Sequence, residues 1–492
     1  MKSLFRNGLV LCGAALVAAA CKDNPIVGPL NSTAVVVGPL SSSQLQTALT
    51  GVVQQTRANA GLTYYYVGGV LGRDVYRFDP SESRYIYEAF TSTFSKTSFF
   101  GASQFNGEYT TIRAGNTLLS NLQQTADSVA SPQQKQAIAG LVHTLQALEY
   151  YRVEEYHDSL GTPIQSADSS KLGDILCAPA ALKYISTLLE QANTELKAGS
   201  AGSATARFTV GSGTPVAFPS GFKTQGDFTV IENFRRIVNR GMKGKVEVYL
   251  GIGRPGSAGN ATNFTNAITA LDEAIGATPT TQAQLNFGPY LQFSTAPGEI
   301  SNPLADANLY VNPSFVDSAQ AGDQRVATKV LTLASPAQYT AKGFVYKTNY
   351  SPAVSSTANP ANFVRPIAII RVGELVLLRA QAKIGLGQYT AAAADLNIVR
   401  TIEGGLPALA PATSQAQAIS QLLYEKRYSL FLEGPQRLTD LRAYGRLNAS
   451  FLPKEGKNST GASGDKFQKA LFIPQGEADV RGGNVTPTGC TT

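Results

Sequence analysis

The 492-residue sequence predicts a mostly α-helical fold, in which helical hairpins pack with long irregular loops and few short strands. Three observations predict it. Apolar residues recur at three- and four-residue intervals in segment after segment, the period of a helix with one buried face. Several of these segments fall into pairs joined by short turns, with small residues where two backbones would approach. Stretches rich in Gly, Ser, Thr and Pro separate them, and loops of that length are more often functional than idle.

Composition narrows the classes. With 43% hydrophobic and 15% charged residues, the chain is too apolar for disorder and long enough to bury a large core. Lys plus Arg number 41 against 34 Asp plus Glu, a net +7 spread thinly and without a basic run. That excludes a dedicated nucleic-acid binder. Phe and Tyr number 22 and 21 while Trp is absent, so an aromatic recognition surface must use those two rings.

The first 20 residues read as a signal peptide. Lys2 and Arg6 open it, residues 8–20 are uncharged, and Ala18, Ala19 and Ala20 lead into Cys21. The run is too short to span a bilayer, which takes roughly 20 residues. Small residues directly before Cys resemble a bacterial lipobox, with Ala18 where Leu is usual. The resemblance implies that Cys21 becomes the N-terminus, carries acyl (palmitate) chains and anchors the protein. Lys22 and Asp23 resemble the tags that send lipoproteins to the outer surface. Residues 21–43 then read as a lipidated tether of Pro, Gly, Ser, Val and Thr, and 44–492 as a single globular domain. Once Cys12 leaves with the signal and Cys21 is acylated, Cys177 and Cys490 remain; pairing needs them within about 7 Å, which the sequence leaves open.

Helical periodicity begins at residues 44–59 and continues through 109–124, 132–156, 178–197 and 233–250. These and 263–275 make up an N-terminal part, 44–275. A loop-rich part, 276–362, follows. The C-terminal part, 363–492, holds helical patterns at 372–384, 390–400, 414–433 and 438–444. Leu377, Ala380, Gly387, Tyr389, Ala393 and Leu396 have the texture of a tetratricopeptide-type hairpin, with Tyr389 opening its second helix. Residues 246–250 with Phe264, Ala267, Leu271 and Ala274 give a looser hairpin, and 109–156 another. No strict 34-residue period holds, so the hairpins are embedded in a larger globule.

The C-terminal third carries the sharpest pattern. Arg371, Val372, Gly373, Glu374 and Leu375 start a helix that runs past Arg379 to Gly387; Asn397 and Arg400 close the next. Glu425, Arg427, Glu433, Gly434, Arg437, Asp440, Leu441 and Arg442 follow, then Phe472, Ile473, Pro474 and Glu477. Alternating charges at these spacings stitch helices together through Arg forks; no poised acid, base or nucleophile stands out. In order and spacing these motifs, with the lipobox, residues 109–116 and residues 155–163, resemble the SusD/RagB family of outer-membrane lipoproteins. Gln381, Pro435 and Gln436 depart from the family pattern.

Other motifs weigh little. Gly251, Ile252, Gly253, Arg254, Pro255 and Gly256 match a dinucleotide fingerprint, but Pro255 and the residues after it open no helix to hold a phosphate, so a loop between hairpin helices is expected. His143 and His157 fit a helix face and a helix end. No nucleophile elbow, His-Glu-x-x-His pair, P-loop or zinc spacing is present. No catalytic residue, metal or cofactor is expected.

What remains is aromatic-rich sequence read as loops. Tyr64, Tyr65, Tyr66, Tyr76 and Phe78 form one cluster, Phe99, Phe100 and Phe105 a second, and Tyr290, Phe293, Tyr310 and Phe315 a third. Such rings stack on sugar faces or peptide side chains while neighbouring polar groups bond hydroxyls or amides. The family resemblance implies a ligand site on these loops, with Phe105 as the aromatic just ahead of Tyr109. Candidate ligand-binding residues are therefore Phe105, Phe100, Phe99, Glu108, Tyr290, Phe293, Tyr64, Tyr65, Tyr76 and Tyr310, although most of these rings are expected in the core. The resemblance further implies a non-catalytic lipoprotein on the exterior face of the outer membrane, which binds oligosaccharide and hands it to a TonB-dependent SusC-like transporter. The alternative is a peptide- or other nutrient-binding lipoprotein of the same architecture.

Overall fold

The computed structural model describes residues 38–100, 104–166, 171–256, 259–355, 359–452 and 454–488. The signal peptide, Cys21, the tether up to residue 37, and Cys490 lie outside the described residues.

Helix α1 (Ser42–Asn59) starts at a reciprocal cap: the Ser41 hydroxyl accepts from the Gln44 N–H, and the Gln44 side chain returns to the Ser41 N–H. Such a box satisfies two donors that a helix start leaves orphaned. After the buried helix α2 (Leu62–Leu71) come α3 (Arg84–Phe90) and α4 (Asn106–Gln124). Ser131 and Gln134 repeat the capping box at the head of α5 (Pro132–His157), with Pro132 in the first turn. Almost every α5 residue from Ala137 onward is buried, because α1 and α4 pack on it as well as α6 (Ala178–Ser200). A helix buried on every side belongs in the centre of a stack, and the buried charges of α5 are Glu149, Arg152, Glu154 and Glu155.

The remaining hairpins use close backbone approach. Helices α7 (Gly241–Ile252) and α8 (Ala261–Ile275) form one, α9 (Val372–Gly385) and α10 (Tyr389–Ile402) another, and α8 also packs on α9. A Cβ at Gly140 of α5 would stand 2.6 Å from Leu196 of α6, and one at Gly244 of α7 2.4 Å from Leu271 of α8. Only glycine admits these contacts. Helices α11 (Gln415–Ser429) and α12 (Gln436–Ala443) complete the C-terminal side. The glycine fingerprint falls where α7 ends: Gly253, at φ 67°, closes that helix, and the next begins at Ala261 behind its cap Asn260.

The described strands are antiparallel pairs. Strand β1 (Val75–Arg77) pairs with β5 (Leu309–Val311), β2 (Thr162–Pro163) with β3 (Ile175–Leu176), β4 (Tyr290–Leu291) with β8 (Ile367–Ala368), and β6 (Val330–Ala341) with β7 (Phe344–Pro352). Thr488 runs beside β3, its carbonyl accepting from the Cys177 N–H at 2.8 Å and its own N–H donating to Ile175 at 2.7 Å. Cys177 is buried and disulfide-bonded.

Four expectations need correction. The Tyr64–Tyr66 run is helical, inside α2, because an all-buried helix shows no 3.6-residue alternation. The pattern at 414–433 stops at Ser429; Leu432 and Gly434 take positive φ and turn the chain. The pattern at 233–250 is interrupted by a π-helical stretch, Arg235–Arg240. The 276–362 region holds the long β6–β7 hairpin as well as loops. Its turn places Lys342 and Gly343 both at positive φ, as a tight hairpin turn requires. Two cores result. One joins the helical hairpins, and a more aromatic one joins α2, β1, β5, β7 and the ends of α11 and α12.

Candidate functional site

The second core absorbs much of the predicted aromatic set. Tyr65, Tyr76, Phe100 and Phe293 are each 2% exposed or less, and Tyr64 is 7% exposed with its hydroxyl donating to Glu155 Oε2 at 3.0 Å. Tyr310 is half-buried and packs on Phe78, their centroids 5.0 Å apart. Phe99 is half-buried too, edge-on to Tyr85 and covered by the Arg84 guanidinium 4.3 Å from its centroid. Glu108 points away from solvent into a polar knot between α1, α4 and α5, where Asn59 donates to Thr111 (2.8 Å) and Glu149 (2.9 Å) and Arg152 to Glu149 (3.0 Å). Burial, then the neighbouring Glu149 charge, pushes the Glu108 carboxyl up to about 8.

Phe105, 4% exposed and part of the first core, also borders a cleft. Its ring lies 4.6 Å from Tyr109 and 5.5 Å from His157, whose imidazole burial holds near 4 and therefore neutral at pH 7. Phe105 and Tyr109 form the floor of a cleft of about 570 Å³. Tyr109 is pinned there by its hydroxyl, which donates to the Pro163 carbonyl at 2.5 Å. Helix α4 lines one side with Asn106, Arg113 and Asn116, spaced so that they share a face with Tyr109. Asn116 donates to Gln165 at 3.0 Å across the cleft and accepts from Gln146 at 2.7 Å. Arg481 closes another side, held by Glu477 (2.8 Å) and the Gly173 carbonyl (2.8 Å). Arg113 is exposed and has no hydrogen-bond or ion-pair partner among the described residues. The arrangement offers aromatic floor, amides, and one uncommitted guanidinium. Sequence reading singled out Phe105 and missed Arg113 and Asn116, although their spacing from Tyr109 was the available signal.

The comparisons with known proteins bear on this geometry. Residues 310–480 match the sequence model of the SusD family, the region that holds the Arg371 to Glu477 motifs. Superposition extends the likeness to about nine-tenths of the chain. Surface glycan-binding protein A from Bacteroides uniformis shares 15% identity at a TM-score of 0.65, covering 90% of this chain and 99% of its own. Its counterpart from Bacteroides thetaiotaomicron, solved in complex with laminarihexaose, shares 12% at 0.63, covering 90% and 98%. A SusD superfamily protein from Parabacteroides distasonis shares 15% at 0.63, with the same coverage. Residues 310–480 carry the SusD/RagB family signature, and the fold of about nine-tenths of the chain is SusD-like. Among curated proteins none matches it.

In the region that matches the SusD model the signature charges serve packing. Arg371 forks onto Glu433 at 2.8 and 2.9 Å and reaches Glu403 at 2.6 Å. Glu425 takes Arg325 and Arg400, both at 2.7 Å. Lys426 bonds Asp440 at 2.8 Å and Gln381 at 2.9 Å, so the departure at Gln381 keeps a partner in the network. A second cleft, about 620 Å³, opens beside Arg371 and contains Tyr290. Its Tyr290 hydroxyl already donates to Asn286 at 3.0 Å, and Lys329 to the Tyr428 and Ser429 carbonyls at 2.8 and 2.5 Å. Most charges of that cleft are spent on the fold. Among the described residues no cluster of His, Cys, Asp and Glu could hold a metal ion, and no helix is long and apolar enough to cross a membrane.

Proposed function

We propose that this SusD-family protein is a non-catalytic, lipid-anchored binding protein of the outer membrane, which captures an oligosaccharide at the Phe105 cleft and hands it to a TonB-dependent SusC-like transporter. The observation that carries the reading is the cleft's composition: two rings in the floor, amides on the walls, and Arg113 uncommitted at the side. Sugar rings have apolar faces that pack on aromatic surface and hydroxyls that take amide and guanidinium hydrogen bonds. Likeness in fold to surface glycan-binding proteins supports the ligand class. Cys21, following its run of small residues, supports the anchor.

A titration screen of the mature protein against glucan oligosaccharides, laminarihexaose among them, and against oligopeptides tests this. Saturable binding of a glycan that weakens tenfold or more in Arg113→Ala supports the proposal. Peptide binding with no glycan binding favours the nutrient-peptide alternative and contradicts it.

A further inference from the structure

A third cavity, about 340 Å³, is lined by residues from the last turns of α5, α7 and α12, and it holds a largely buried carboxyl, that of Glu154. Glu154 lines it at 5% exposure, and among the described residues its carboxyl has neither a hydrogen-bond nor an ion-pair partner. Burying such a group without compensation is costly.

The rest of the lining states what would compensate it. Leu182, Leu250, Leu447 and the rings of Tyr151 and Tyr249 give an apolar wall. Three helices end at the cavity: α5 at Asp158, α7 at Gly253 and α12 at Tyr444, each with lining residues in its last turn. Helix C-termini carry partial negative charge and favour cations. The basic residues of the lining are otherwise engaged or turned to water. Arg442 donates to the Glu155 and Lys469 carbonyls at 2.9 and 3.0 Å and stands 3.5 Å from Asp158. Lys469 and Arg254 are exposed, as are Ser159 and Gly445, so the cavity opens to solvent at that rim. The volume falls in the lower range of small-molecule sites, about 300–1,000 Å³.

We propose that this cavity is a second ligand site, distinct from the Phe105 cleft, which takes a small molecule carrying a primary ammonium on an apolar body, with the ammonium bound by Glu154. Burial, and after it the Asp158 charge, pushes the Glu154 carboxyl up to about 8, with Arg442 opposing and Glu155 adding to the shift. At pH 7 the carboxyl therefore holds a proton. An ammonium at contact favours the ionised form, so binding releases that proton to the buffer.

Isothermal titration of the mature protein with phenethylamine, 2-phenylethanol and 3-phenylpropionate, in phosphate and in HEPES at pH 7, tests the proposal. The amine is expected to bind at least tenfold more tightly than the alcohol or the acid, with a heat that differs between the two buffers. Glu154→Gln is expected to lower amine affinity at least tenfold and to remove the buffer dependence, with glycan affinity unchanged. Ala178→Phe, which fills the cavity from the first turn of α6, should abolish amine binding in the same way. The proposal is overturned if the amine fails to bind, if the alcohol binds as tightly, or if either variant binds the amine like the parent protein.

Discussion

Arg437 Nε lies 3.1 Å from Asp74 Oδ1, and Arg427 Nε reaches the same oxygen at 2.8 Å, so one carboxylate after α2 holds cations from both α11 and α12. All three side chains are largely buried. Burial, with Arg427 close by, pushes Arg437 down to about 10, which still leaves it charged at pH 7. Removing the shared anion leaves two buried cations, whereas removing Arg437 leaves one intact pair. Asp74→Asn is therefore expected to cost about 3–5 kcal/mol, and Arg437→Ala less. Urea denaturation measures both, and glycan affinity of the folded fractions should not change.

The buried carboxyl of Glu108 makes stability depend on pH with a definite sign. Its folded value of about 8 stands above the ordinary 4.5. Below pH 4.5 both folded and unfolded chains hold the proton; between 4.5 and 8 only the folded one does. Its contribution is thus present in full at low pH and is lost as pH rises through 8, by at most about 1.4 kcal/mol per pH unit. Glu154 acts in the same direction. Thermal unfolding of Glu108→Gln between pH 5 and 8.5 should show a flatter fall than the parent protein; an equally steep fall would assign the slope elsewhere.

Phe105 supports the cleft and the core together. It is 4% exposed, with its ring against Tyr109 and His157. Phe105→Ala is expected to cost about 3–5 kcal/mol of stability and to weaken glycan binding as the floor collapses. Arg113→Ala, at an exposed and unpaired side chain, should weaken binding with the melting temperature unchanged. Differential scanning calorimetry beside titration separates the two effects.

The anchor has its own test. Cys21→Ala should leave the protein unacylated and shift it from the outer-membrane fraction to the soluble one in cells that lack the partner transporter. Retention with the membrane there would refute lipidation at Cys21.

How legible all this was in the sequence depended on the environment of each element. Helix α10 begins at Tyr389, as the small-residue turn before it predicts, because a half-buried hairpin writes its period into the chain. Helix α2 was unreadable: residues 64–71 are all buried, so no polar face marks a period. The β6 strand was hidden by Pro336, which sits at the irregularity between Thr332 and Ala337 where ladder pairing lapses. At the cleft, Phe105 and the Tyr109 face were local and visible, while Gln165 and Arg481 come from distant segments that only the fold assembles. Glu154 in the last turn of α5 and Asp158 at its C-cap lie four apart in sequence, yet the cavity they line exists only because α7 and α12 end beside them.

The most direct test of the central claim is a crystal structure of the mature protein with its tightest-binding oligosaccharide. The account predicts a sugar ring over Phe105 and Tyr109 with a hydroxyl within hydrogen-bond reach of Arg113. Sugar bound at the Tyr290 cleft, or anywhere away from α4, with the Phe105 cleft empty, would contradict it.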